Sequence, residues 1–104
     1  MPLETFPFDT SEYLASPESQ LELLTDALET GDPTYIRHAL GVVARARGMT
    51  AIAKEAGVTR EALYKALSDR GDPKLSTLLG VLKALGIQLS AKSTESDEEV
   101  LKAS

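Results

Sequence analysis

Apolar positions recur every three or four residues in five segments of the chain, which is the periodicity of amphipathic helices. The first two segments begin with the same signal, a capping residue followed by proline, at Ser16-Pro17 and at Asp32-Pro33. Each of them ends at a glycine. Their apolar faces hold Leu21, Leu24, Ala27 and Leu28 in the first and Ile36, Ala39, Leu40, Val43 and Ala44 in the second.

The next two segments are short and lie on either side of a glycine, in the stretch AIAKEAGVTREALYKAL at residues 51–67. We expect a helix over residues 50–56, a turn at Gly57, and a second helix that is capped by Thr59 and runs to about residue 67. A cluster of turn residues, DRGDP, then precedes a strongly periodic leucine series that predicts a fifth helix at the centre of the core. That series is Leu75, Leu78, Leu79, Leu82 and Leu85.

The two ends of the chain lack this helical pattern. Residues 87–90, IQLS, alternate apolar and polar, which fits either a short strand that pairs with a second copy or a tail lying on the core. The sequence therefore predicts an all-α, five-helix domain over residues 17–90. An N-terminal arm over residues 1–16 and a flexible acidic tail over residues 91–104 flank it.

Composition excludes several classes of protein. The chain contains no cysteine, so disulfide frameworks, zinc knuckles and thiol catalysis are excluded, and a cytoplasmic location is the simplest interpretation. The N-terminus lacks the pattern of a signal peptide, and no apolar stretch is long enough to span a membrane.

The net charge of −5 is unevenly distributed along the chain. Residues 1–32 carry a charge of −8 with no lysine or arginine, residues 33–92 carry +6, and residues 93–104 carry −3. Uneven charge also arises by chance in small domains. Here, however, the basic block coincides with the pair of short helices around Gly57, which favours a nucleic-acid partner for that region.

Two helices that cross at a tight turn form a helix-turn-helix, here over about residues 49–68. The crossing needs a small residue where the helices touch and a glycine four positions later with a left-handed backbone, and Ala53 and Gly57 have this spacing. The positions that meet the packing and turn requirements are Ile52, Ala53, Ala56, Gly57, Val58, Leu63 and Ala66.

The outward face of the second helix is a candidate for base and phosphate contacts. Arg60 can donate two hydrogen bonds to guanine, Glu61 can accept from cytosine or steady Arg60, and Lys65 can reach phosphate. The full set of candidate DNA-binding residues is Thr50, Lys54, Thr59, Arg60, Glu61, Tyr64 and Lys65. The alternative is a helical hairpin whose outward residues are only a solvated surface.

Several motifs between residues 48 and 86 occur in a fixed order: GMT at 48–50, AKEAG at 53–57, TRE at 59–61, LYKAL at 63–67, GDP at 71–73 and ALG at 84–86. Upstream, FD at 8–9, YL at 13–14, GDP at 31–33 and ALG at 39–41 extend the pattern. Over about residues 6–90 the chain resembles the addiction-module antidote proteins, which are HigA-like antitoxins with an Xre/Cro-type helix-turn-helix.

This resemblance implies a lambda-repressor-like fold and an antitoxin that represses its own operon as a homodimer on a palindromic operator. It also implies a small basic toxin of the RelE/HigB-like type that cleaves messenger RNA and is encoded by an adjacent gene. From charge we expect the acidic N-terminal region to bind that toxin, although contact elsewhere, including at the C-terminal segment, stays open. The candidate toxin-binding residues are Glu4, Asp9, Glu12, Glu18, Glu22 and Asp26.

One position departs from the family pattern. Ala51 replaces the glutamine that relatives often carry there, so we expect operator affinity either to be modest or to rest more on Thr50 and Lys54. We expect no enzymatic activity, cofactor or metal, because His38 is the only histidine and no glycine-rich phosphate loop is present. The alternatives are a solitary helix-turn-helix regulator and an adaptor that binds only proteins.

Overall fold

The computed structural model describes residues 16–94, which form five α-helices and no β-strand within that range. The helices are α1 (Pro17–Thr30), α2 (Pro33–Arg47), α3 (Met49–Ala56), α4 (Arg60–Ala66) and α5 (Leu75–Ala84). The prediction of an all-α, five-helix domain is confirmed.

Side-chain caps fix where the first two helices begin. The Ser16 hydroxyl accepts a hydrogen bond from the backbone N–H of Ser19 at 3.1 Å, and the Asp32 carboxylate accepts from that of Thr34 at 3.0 Å. In both helices a proline follows the cap, where its missing N–H costs nothing. The two start signals in the sequence therefore mark the observed N-termini.

The core draws on all five helices, and α3 is its central element. α3 packs against α2, α4 and α5, and α1 packs on α2. The buried apolar residues are Leu24, Ala27, Ala39, Leu40, Val43, Ala44, Met49, Ile52, Ala53, Leu63, Leu67, Val81, Leu82 and Leu85.

A close approach between backbones sets the packing of α5 on α3. A Cβ atom added at Gly80 would lie 3.1 Å from the Cα atom of Ala56, which is tighter than an ordinary van der Waals contact. A larger residue at position 80 would push the two helices apart. Glycine at this position thus holds α5 against the helix that precedes the Gly57 turn.

The predicted leucine core of α5 is partly wrong. Leu75 and Leu79 are 67% and 45% exposed, whereas Val81, which lies outside the leucine series, is fully buried. The buried face of α5 is rotated toward Val81 because α3 contacts the helix at Gly80. Leu75 and Leu79 consequently lie at the edge of the face that packs on the core. In α1, Leu21 is likewise 50% exposed.

Residues 87–90 form no strand within the single chain and lie on the domain, with Ile87 packed against the core. Pairing of this segment with a second copy stays a prediction. The backbone N–H of Ile87 donates to the Leu82 carbonyl at 2.8 Å, which turns the chain away from α5. Further along, the Lys92 ammonium lies 3.3 Å from the Glu29 carboxylate. The segment after α5 therefore runs beside α1.

Candidate functional site

The turn between α3 and α4 depends on the backbone conformation of Gly57. Its φ of 77° and ψ of 27° lie in the left-handed region, where a residue with a side chain is strained. The N–H of Gly57 donates to the Lys54 carbonyl at 3.2 Å, and that of Val58 donates to the Ala53 carbonyl at 3.0 Å. These bonds end α3 and aim the chain into α4.

Thr59 then starts α4. Its backbone is extended, and its hydroxyl oxygen accepts a hydrogen bond from the N–H of Ala62 at 3.0 Å. Leu63, with no exposed surface, anchors the helix in the core, and Leu67 follows one turn later. The position of α4 is thus set by a cap at its start and by leucines on its inner side.

The sequence-selected packing residues lie on the inner side of this two-helix unit. Ile52, Ala53 and Leu63 are buried. Ala56, Val58 and Ala66 are half-buried, and the first two of these pack against the core.

The seven residues selected for DNA contact all lie on the surface of α3, the turn and α4. They are Thr50, Lys54, Thr59, Arg60, Glu61, Tyr64 and Lys65, and each is exposed. The structure thus brings together on one unit the cationic and hydrogen-bonding groups that nucleic-acid recognition uses.

Arg60 and Tyr64 contact each other across one turn of α4. The guanidinium carbon lies 5.3 Å from the centre of the Tyr64 ring, and one NH2 group donates to the phenolic oxygen at 3.4 Å. The hydrogen bond that the guanidinium donates to Tyr64 is the main cause of a raised pKa of Arg60. Tyr64 contacts Arg60 directly, and the negative charge of Glu61 also raises the pKa of Arg60, as a smaller effect.

Arg37 is a structural residue that periodicity in the sequence does not reveal. From α2 it donates to the backbone carbonyls of Ser68 at 3.2 Å and Asp69 at 2.9 Å, directly after α4. The end of α4 is thereby attached to α2. A contact to carbonyls 31 and 32 residues away leaves no local sequence signal.

On α1, the candidate toxin-binding residues Glu18, Glu22 and Asp26 are exposed. Asp26 accepts a hydrogen bond of 2.5 Å from the Tyr35 hydroxyl, and this bond is the main cause of a raised pKa of Tyr35. The other three candidates, Glu4, Asp9 and Glu12, lie outside the described residues.

Comparison with known proteins decides the family. A family model described as "Probable addiction module antidote protein" matches residues 4–93. The chain belongs to this family of antidote proteins. A relative, described as an uncharacterized protein, occurs in Haemophilus influenzae; it is 42% identical over 87 residues, covering 84% of this chain and 90% of the relative. No solved structure matches the chain.

Membership of the antidote family gives the chain the role of an antitoxin, and an addiction module supplies a toxin as its partner. The role of an antidote protein is regulatory. Within residues 16–94, no group of three or more histidine, cysteine, aspartate or glutamate side chains is placed to hold a metal ion, and His38 is exposed on α2.

None of the described helices is both long enough and apolar enough to cross a bilayer.

Proposed function

We propose that this antidote protein neutralises a RelE/HigB-like toxin that cleaves messenger RNA, and that it represses its own operon by sequence-specific DNA binding in the cytoplasm. α3, the Gly57 turn and α4 act as the helix-turn-helix. The observation that carries the DNA-binding part is the surface of α4, where Arg60, Tyr64 and Lys65 are exposed while Leu63 is buried in the core.

α4 enters the major groove in this proposal. Arg60 meets the O6 and N7 atoms of guanine, a contact that discriminates against other bases by about 1–3 kcal/mol. Lys65 contacts phosphate, and Thr50 and Lys54 on α3 hold the DNA backbone from outside the groove. Two chains form a homodimer, and its two α4 helices read half-sites about one helical turn apart.

The toxin-binding part of the proposal is supported by family membership and by charge. α1 carries four acidic residues and no lysine or arginine. An acidic surface steers and binds a basic partner. We assign toxin binding to the α1 side of the molecule and DNA binding to the α3–α4 side.

DNA binding is tested by fluorescence anisotropy with a duplex from the region upstream of the protein's own gene. We expect Arg60→Ala to weaken binding about 10-fold or more and to relax the preference for one guanine. Lys65→Ala should weaken binding to all sequences and reduce the slope of log affinity against log salt by about 1. The matched control is Lys83→Ala, which removes an exposed lysine from α5 and should change affinity less than about 2-fold.

Unchanged binding by Arg60→Ala and Lys65→Ala would remove the helix-turn-helix assignment. If both variants also still neutralise the toxin and regulate growth normally, the protein acts through protein contacts alone. If operator binding is found but no toxin is encoded nearby, the chain is a solitary regulator.

A further inference from the structure

An open groove separates α1 from the segment that follows α5. It has a volume of about 850 Å³, and its α1 wall includes Leu21, Thr25 and Leu28. The opposite wall is formed by residues 87–94, with Ile87 and Leu89 as its apolar side chains. Leu21 and Leu89 are large apolar residues that remain exposed there. Exposed apolar side chains that converge on a concave surface mark an interaction site.

A stripe of carboxylates runs beside this groove. Glu18, Glu22 and Glu29 are spaced by four and seven residues, which places them on one side of α1. Leu21, Thr25 and Leu28 are spaced by four and three residues and form the neighbouring stripe. All three glutamates are exposed. The groove therefore has an apolar floor with the carboxylates of Glu18 and Glu22 beside one end, whereas Glu29 at the other end pairs with Lys92 at 3.3 Å.

We propose that the groove binds an amphipathic basic helix of the toxin, whose apolar side chains fill the space between Leu21 and Leu89. Its lysines and arginines face Glu18 and Glu22. The shape fits the mode in which the apolar face of a helix lies in a hydrophobic groove. This inference rests on the proposed pairing with a toxin and adds the surface and the kind of segment that it receives.

Charge argues against the other occupants. A second copy placed here symmetrically would bring a second acidic α1 against the first, and like charges at an interface are unfavourable. The chain's own ends are also acidic: residues 1–15 contain three acidic residues and no lysine or arginine, and residues 95–104 contain four acidic residues and one lysine. A cationic segment of a different protein is the complementary occupant.

A matched pair of substitutions tests the groove. Leu21→Lys puts a cation into it, and Leu75→Lys makes the same change at an exposed leucine of α5, outside the groove. The probe is the purified product of the adjacent gene, with affinity measured by calorimetry on the full chain. We expect Leu21→Lys to weaken binding about 30-fold or more, as for a central apolar interface residue, and Leu75→Lys to change it less than about 2-fold. Circular dichroism and operator binding should be the same for both variants.

Equal affinity of Leu21→Lys and the unaltered chain would overturn the inference, and so would equal loss in both variants. The proposed pairing with a toxin fails if the unaltered chain neither binds the adjacent gene product nor restores growth. That result does not depend on the groove, so it is distinguishable from failure of the groove assignment.

Photo-crosslinking identifies the occupant directly. p-Benzoylphenylalanine is placed at residue 21 of the full chain, and at residue 75 as the control, during co-expression with the adjacent gene. A crosslink from residue 21 to a basic helix of the toxin, with none from residue 75, is the expected result. A crosslink from residue 21 to residues 1–15, to residues 95–104 or to a second copy would overturn the assignment.

Discussion

Helices α1 and α4 are built by the same local rules but present opposite surfaces. Each begins with a hydroxyl cap that accepts from the N–H three residues ahead, from Ser16 in α1 and from Thr59 in α4. Each buries a leucine almost completely, Leu24 at 1% exposure and Leu63 at 0%. Outward, however, α1 shows carboxylates beside exposed leucine, whereas α4 shows arginine, lysine and tyrosine.

The comparison separates what positions a helix from what the helix can bind. The caps and buried leucines determine where α1 and α4 lie, and they would do so with almost any outward residues. The outward residues determine the partner, because only they meet another molecule. A small domain can therefore expose two surfaces of opposite charge, provided that the surfaces lie on different helices.

The largest expected effects are on stability, and they should be similar for α1 and α4. Leu24→Ala and Leu63→Ala each remove a fully packed side chain and should each lower the free energy of unfolding by about 3 kcal/mol. Urea denaturation of the two variants measures this. A much smaller loss for one of them would show that its helix contributes less to the core than its burial indicates.

Charge reversal on α1 should weaken toxin binding without weakening DNA binding. Glu18→Lys combined with Glu22→Lys is expected to weaken toxin binding on the order of 10-fold, because a positive rim repels a basic partner. Operator affinity should not fall. Calorimetry with the toxin and anisotropy with the operator duplex give the two values.

Glu55→Lys, which reverses an exposed charge on α3, is the control for general charge effects on toxin binding. Equal loss of toxin affinity in this control would mean that net charge, rather than the α1 surface, governs the interaction.

The N-terminal caps of α1 and α4 allow a test, with a smaller expected effect, of whether the two helices are stabilised in the same way. Ser16→Ala and Thr59→Ala each leave a backbone N–H without its side-chain acceptor and should each cost about 1 kcal/mol of stability. Thr59→Ser keeps the oxygen and should restore most of that loss. Thermal unfolding monitored by circular dichroism is sufficient, and no recovery in Thr59→Ser would assign the effect to the methyl group instead.

The smallest expected effect is a pH dependence at the contact between α1 and α2. The Tyr35 hydroxyl donates a hydrogen bond to the Asp26 carboxylate, and this bond raises the folded-state pKa of Tyr35 above the usual value of 10.0. Because the folded-state pKa is raised, the stabilisation from this hydrogen bond is complete below about pH 10, and it is lost as the pH rises through the folded-state pKa of Tyr35. Stability curves from pH 8 to 12 should fall more for the unaltered chain than for Tyr35→Phe. Parallel curves would contradict this account.

The sequence predicts the helices well because their boundaries are encoded locally. Ser16-Pro17, Asp32-Pro33, Gly57 and Thr59 each act through backbone groups within four residues, so pattern alone locates them. The candidate DNA-contact residues are also all exposed, on two adjacent helices and the turn between them. Their role in DNA binding stays a prediction.

What the sequence does not predict depends on contacts between distant segments. Periodicity shows that α5 has an apolar side, but the direction of its packing depends on the approach of α3 at Gly80. Arg47 donates to Gln20 at 2.9 Å across 27 residues, which explains a buried glutamine that no local rule anticipates. The groove beside α1 likewise arises only when residues 87–94 fold back along that helix.

The contact of Arg37 holds the end of α4 through the main chain. Arg37 binds the main-chain carbonyls of residues 68 and 69, not their side chains, so substitutions at those two positions leave the attachment intact. The outward residues of α4 likewise take no part in it. Under the proposed DNA binding, recognition of a new operator would need changes only on that face and in the following turn, while α2 continues to hold the helix in the same orientation.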